Sequence, residues 1–499
     1  MDYKMIYPLS SQIILEKQPL FRWERSKDAD YYELIIEIYN GEEFEIITNI
    51  EVTENMYCLP FPLEEGRAYR VSVVAVNDDR KIAPLNAENG TVFMSYIDSK
   101  NHPANKGIDY SFRNKFSPEI LANYLSRAIT METFHRDPQS IRNNIRFLIN
   151  VGAKYVMRSF AAFKVTMDHI NQFETAGIGA AYVHQLDPDV ILEAWVFETT
   201  NAGIDEIVVP AWVQKAFNEP IVKRNFNHKA MMFPDGKGVN QHGSGLHTPD
   251  ITQKETRMFF YYLACSYINL GFESLHLGQT MLMSQNDENC GGYNELVGMI
   301  REYAKTHARR GYVLINSHHG WQFPFMNKDG LFLCDFVAEP GSIFDEDDEP
   351  HLPSENNPQR AKITPIGAWC RRYKGTTYSG YYSDNLPSLS EFDNFMGPKK
   401  LEDLMKPTGK ADIPWGFDEI SWFANQPKWY RKEFLEYYTE KIKKFNENSY
   451  VSYQVSRPIF DIKTEKMTFY FASDPLFLEN GFGDEQTIKE IWINDAKSR

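Results

Sequence analysis

"TQKETRMFFYYLACSYINLGFESLHLGQT", residues 252–280, changes its apolar period partway along. Up to Leu270 the apolar residues recur at three- and four-residue spacing, as on the buried face of a helix. Thr252 and Glu255 have the spacing of a capping box at its start, and Gly271 stands where a helix stops. "SLHLGQT" then reads as a short strand. A helix running straight into a strand is half of a βα unit, the building block of parallel sheets.

The same alternation extends over most of the chain. Candidate strands are "LSRAITMETF", "AKYVMRSF", "ILEAWVFE", "SLHLGQT", "YVLINSH", "LFLCDFVAE", "PSLSEFDNF" and "YVSYQVSRPI". Helical patterns such as "PQSIRNNIRFLINVG" and "GYNELVGMIREYAKTHARRG" lie between most of them. Eight strands over about 360 residues predict a (β/α)8 barrel with insertions. An open doubly wound sheet is the alternative, but no glycine-rich phosphate loop follows a strand here. Two connections, after Glu198 and after Glu339, run to roughly 45–50 residues, a length that in a compact domain covers or builds a site. On a barrel both would lie on the C-terminal face, where active sites sit.

The first 98 residues differ. "YYELIIEIYNG" and "RAYRVSVVAVND" alternate with period two and end in turn residues. Trp23 and Tyr69 stand where a fibronectin type III domain has its core tryptophan and strand-F tyrosine, so this segment resembles that family. The expected organisation is a β-sandwich over 1–98, acting as a spacer, and a catalytic barrel over 99–499.

The ends of the proposed strands are polar. They carry Glu132, Arg158, Glu198, then His276 and Gln279, His318 and His319, Glu339, and finally Glu391, Asp393 and Asn394. One such tip is explained by solvent; nearly all of them together predict a polar cavity at the barrel mouth. Within "ILEAWVFE", Leu192, Ala194, Val196 and Glu198 share one face, expected to be the crowded interior. Trp195 and Phe197 would then pack outward against helices. A structural alternative pairs Glu198 with Arg158. Glu391 and Asp393, two apart, project from one strand face, where like charges raise each other's pKa.

Net charge is 53 − 68 = −15 without a long basic run, which excludes polyphosphate partners such as nucleic acid. Five scattered cysteines without a CxxC pair leave at least one thiol free, which argues against a disulfide framework. No apolar run reaches the length of a membrane span. No GxSxG elbow or HExxH is present, and no cofactor motif is found. Zinc could engage His276, His318 and His319, but the first strand lacks an HxH pair, so a metal-dependent hydrolase is a minor alternative.

"GFESLHLGQTMLMSQND" and "WGFDEISWFANQ" together resemble bacterial proteins that join a fibronectin type III module to a glycoside-hydrolase-like barrel. The resemblance implies a carbohydrate substrate and carboxylate acid/base chemistry. It implies an essential acid at the seventh strand, filled here by Glu391 or Asp393, with a lean toward the longer Glu391. The fourth strand, usual home of the acid/base in such families, ends instead in His276 and Gln279. That moves the acid to Glu198, or to Asp287 in the loop that follows. Arg158, His276, Gln279, His318, Glu339, Asn394 and Trp422 are the expected substrate contacts. Asp418 suits a helix N-cap, and Trp415 and Trp422 suit either sugar stacking or a core. A non-catalytic carbohydrate-binding barrel is the rival reading. Such an architecture is expected to be secreted, periplasmic or on the cell surface, although the N-terminal segment shows no apolar signal core; a cytosolic place is the alternative.

Overall fold

The computed structural model describes residues 3–78, 80–131, 137–318, 324–345, 361–365, 374–394, 419–461, 464 and 466–499. They form two compact units, one of residues 1–107, 136–153 and 471–499, the other of 108–135 and 154–470.

In the second unit eight strands pair in parallel: β1 (Ala128–Met131), β2 (Tyr155–Phe160), β3 (Ile191–Trp195), β4 (Ser274–Gln279), β5 (Leu314–His318), β6 (Phe336–Asp345), β7 (Ser388–Glu391) and β8 (Ser449–Asp461). Each pairs with the next, and β8 returns to β1 with Ser452 opposite Ala128, so the barrel closes without a free edge. The predicted helices are present as Lys254–Asn269 and Gly291–His307. The capping box is not. The first of these helices starts after Gln253, without a side-chain cap. The Thr252 hydroxyl donates to Asp250 at 2.7 Å, while Glu255 accepts two hydrogen bonds from the Arg224 guanidinium at 2.8 and 3.1 Å. A charge-assisted pair outcompetes a neutral cap.

The lower barrel is apolar. Ala128, Tyr155, Met157, Ile191, Leu314, Phe336, Ala338 and Leu389 share one cluster with residues of the helix Pro118–Leu125. Ile191 in that cluster sets the parity of β3, and it reverses the expected one. Glu193 and Trp195 face the interior with it, whereas Leu192 and Ala194 point the other way. The expectation carried the strand through to Glu198, but β3 ends at Trp195, so alternation cannot be extended across 196–198.

The first unit holds two antiparallel sheets. Leu20–Trp23 lies between Met5–Tyr7 and Met56–Cys58. Tyr31–Tyr39, Phe44–Val52, Ala68–Asn77, Arg80–Ile82 and Thr91–Met94 form the other. Trp23, Tyr32, Tyr69 and Phe93 lie in one buried core. The helix Pro138–Val151 belongs to this unit. Asp137 caps it by accepting from the amides of Gln139 and Ser140, and Gly152 at φ 81° ends it in the left-handed conformation. Inside the same unit its Arg146 donates to Glu485 at 2.6 and 2.8 Å.

Candidate active site

The C-terminal ends of β2, β7 and β8 meet in a cluster of ions. Arg158 lies in β2 with φ 56°, a backbone state that non-glycine residues rarely adopt, and the register with β3 shifts around it. Its guanidinium, 2% exposed, hydrogen-bonds Glu391, and Asp393 at 3.2 and 2.9 Å. Arg457 of β8 donates to Asp393 as well, and to Asn394 Oδ1 at 2.7 Å. Two guanidiniums thus face two carboxylates, which explains the acidic pair of β7. The Asn394 amide also donates to the Pro458 carbonyl at 3.1 Å, so both of its ends meet protein.

The two carboxylates differ. Glu391 is fully buried and accepts from Thr130 Oγ1 at 3.1 Å. Burial pushes its pKa up, against the pull of Arg158. Burial also acts to raise Asp393, but Arg158 and Arg457 outweigh it and hold this carboxyl far below the usual range. The Asp393 side chain keeps 14% of its surface exposed. Of the two, Asp393 keeps some exposed surface and Glu391 keeps none, whereas the expected lean was toward Glu391.

Glu198 makes no hydrogen bond to these guanidiniums, although the Arg158 charge acts to lower its pKa. It is fully buried, and its carboxylate accepts from the Gln279 amide N–H and from Gln279 Nε2, both at 3.0 Å. Arg158, the structural partner considered from sequence, hydrogen-bonds Glu391 and Asp393 instead. Gly278, at φ 63°, makes room for Glu198: a Cβ there would overlap its Oε2 and the Phe197 ring. Burial raises the Glu198 pKa to about 7.

A second buried acid, Glu193, was missed from sequence because the parity of β3 was reversed. It accepts from Tyr155 and Asn316 at 2.5 Å each and from the Arg158 amide at 3.1 Å, and burial raises its pKa to about 7. Asn316 turns its NH2 to Glu193, so its Oδ1 accepts from His276 Nδ1 at 2.6 Å. That fixes the His276 tautomer and leaves Nε2 as an acceptor. Burial, then the nearby His318 and Arg158, push the His276 pKa far below its ordinary value.

His318 is bonded to the Ala338 carbonyl through Nδ1, and its ring meets His276 edge-on at 4.7 Å. Glu339 Oε2 lies 3.8 Å from the same Nδ1. Asp287, the alternative acid, accepts from the amides of Gly292 and Tyr293 at the start of a helix, a capping role. Trp422 is 7% exposed and packs on Tyr430 and Phe434. Glu132, His319, Trp415 and Asp418 lie outside the described residues. Among the described residues no group of three or more His, Cys, Asp or Glu is placed to hold a metal ion. None of the described helices is long and apolar enough to cross a membrane.

No family model matches the chain, and no curated protein matches it. Solved structures similar to it include the type III pullulan hydrolase from Thermococcus kodakarensis, at 12% identity and TM-score 0.26 over 67% of this chain and 64% of that one. Pullulanase from Bacillus acidopullulyticus matches at 10% identity and TM-score 0.30, over 86% of this chain and 55% of that one. The Lactobacillus rhamnosus beta-glucuronidase matches at 9% identity and TM-score 0.29, over 91% and 60%. The chain thus spans less than two thirds of each of these three.

Proposed function

We propose that the chain is a glycoside hydrolase in which Glu198 donates the proton to the leaving oxygen and Asp393 is the carboxylate that stays ionised. The observation that carries this is the split between two acids at one end of one barrel. Glu198 is buried against Gln279 and raised to about 7, while Asp393 is held ionised by two guanidiniums. A carboxyl near 7 can both hold and release a proton at neutral pH, and environments that drive two acids apart divide the acid role from the anionic one. Gln279 positions Glu198, and Arg158 and Arg457 position Asp393. The test is turnover on a panel of oligosaccharides by wild type, Glu198→Gln and Asp393→Asn, with loss in both variants expected. Full activity in both overturns the assignment.

One observation favours a non-catalytic carbohydrate-binding barrel instead. Asp393 and Glu391 are both engaged by Arg158, which weakens either as a base or nucleophile. Saturable glycan binding without turnover is the result that would establish that reading.

We also infer that residues 1–98 form a fibronectin type III-like sandwich and that the catalytic groups belong to the unit of residues 108–135 and 154–470 rather than to all of 99–499. Support comes from Trp23 and Tyr69 in one core, and from the Glu64 amide donating to the Tyr69 hydroxyl at 2.9 Å, the corner contact of such domains. Limited proteolysis should open the chain between about 95 and 110. Cleavage inside the barrel strands would refute this division.

A further inference from the structure

Beside Glu198 lies a group of rings for which neither the acid nor the barrel core has a use. Phe163, in the loop after β2, is 40% exposed. Its ring packs on Phe197 with centroids 5.2 Å apart, and meets the His242 ring edge-on at 5.5 Å. Phe197 stacks on Trp195 at 4.7 Å and an interplanar angle of 16°, and it directly precedes Glu198 in the chain. His242 Nε2 lies 3.9 Å from Glu198 Oε1 and hydrogen-bonds Thr248 Oγ1 at 3.1 Å.

These rings come from three separate loops, each tied down. The Thr199 hydroxyl donates to the Phe163 carbonyl, and Asn201 Nδ2 donates to that of Val165 at 2.9 Å. Thr200 and His247 exchange backbone hydrogen bonds at 2.8 and 2.9 Å, which anchors the segment carrying His242. An exposed phenylalanine held this way requires no ordering when a ligand arrives.

The chemistry of the patch selects its ligand. Phe163 has no polar tip and offers a π-face that is electron-rich at its centre, which attracts polarised C–H groups. A ligand that fits has a flat C–H face with polar groups at its rim, the pattern of a pyranose ring. We propose that Phe163, backed by Phe197 and bordered by His242, is a stacking subsite for a sugar ring next to the bond that Glu198 protonates. The proposal rests on Glu198 as the glycosidic acid for its place along the substrate, but the stacking itself is testable without turnover.

The experiment is calorimetric titration of the Glu198→Gln protein with malto-, cello-, xylo- and mannohexaose, repeated with Phe163→Ala and Phe163→Tyr added. The expected result is about tenfold weaker binding with Ala, and recovery with Tyr, which keeps the flat ring. Equal affinity in the Ala and parent proteins overturns the subsite, as does the absence of saturable binding to all four sugars. Turnover of the same sugars by the wild type is scored separately. Binding that depends on Phe163 without any turnover removes the enzyme reading and leaves the subsite standing.

Discussion

Replacing Glu198 by Gln should stabilise the protein above neutral pH while stopping turnover. Burial lifts this carboxyl from 4.5 to about 7, even though Gln279 donates to it twice. A carboxyl raised on folding supports the folded state below its unfolded value, and that support is lost as pH climbs through the folded value. Between 4.5 and about 7 the loss accumulates to about 3 kcal/mol, at 1.36 kcal/mol for each pH unit. Gln is neutral throughout and escapes this cost. It can also keep both hydrogen bonds: its oxygen accepts from the Gln279 amide, and its NH2 donates to Gln279 Oε1 once that side-chain amide turns over. Urea unfolding at pH 4, 6 and 8, followed by tryptophan fluorescence, is the assay. The two proteins should unfold alike at pH 4, and the variant should be more stable by about 2–3 kcal/mol at pH 8. Glu193, also raised to about 7, is common to both proteins and cancels in the difference. A variant destabilised equally at all three pH values would show that Glu198 is an ionised structural acceptor, and the reasoning would fail.

Asp393→Asn should lower turnover at least ~100-fold and also lower the melting temperature, because a carboxyl held ionised by Arg158 and Arg457 supports the folded state at neutral pH. Glu391→Gln, which leaves Arg158 still paired with Asp393, should keep more of the turnover than Asp393→Asn; the reverse order would exchange the two roles. Gly278→Ala should abolish activity and lower the melting temperature, because the new methyl meets Glu198 and the backbone is left-handed there; a variant with wild-type kinetics would refute the cradle described for Glu198. Glycan affinity should change less than about threefold between 50 and 200 mM salt, since little counterion release is expected, and a steep fall would point to an anionic ligand.

The barrel was legible because its strands and helices differ in period, and that difference survives in local sequence. "SLHLGQT" and "PSLSEFDNF" could be placed without knowing their neighbours. The facing of β3 was not legible. Parity can be counted only within a strand, and the count was carried past Trp195, where the strand ends. This hid Glu193. The crowding of Glu391 with Asp393 was visible, but its resolution lay in Arg158 and Arg457, which reach the pair from β2 and β8. Such charge pairing is a property of barrel closure, and no window of sequence contains it. Phe163 and His242 lie in loops without periodicity, so only the folded chain brings them to Glu198. The capping box failed for a similar reason: Glu255 found Arg224, 31 residues away.

The left-handed backbone at Arg158 fixes when the site is assembled. A residue twisted out of the regular strand stays so only if its surroundings over-determine it, at a cost of order 1–3 kcal/mol. Here the Glu193 carboxylate accepts from the Arg158 amide, and Glu391 and Asp393 take its guanidinium. That cost falls on folding, so an arriving ligand meets a guanidinium already oriented and already neutralised. Reorganisation energy at this end of the barrel is then small, as preorganised electrostatics requires. Backbone amides of β2 and β7 around the cluster should accordingly exchange hydrogen at the same slow rate in the free and ligand-bound protein.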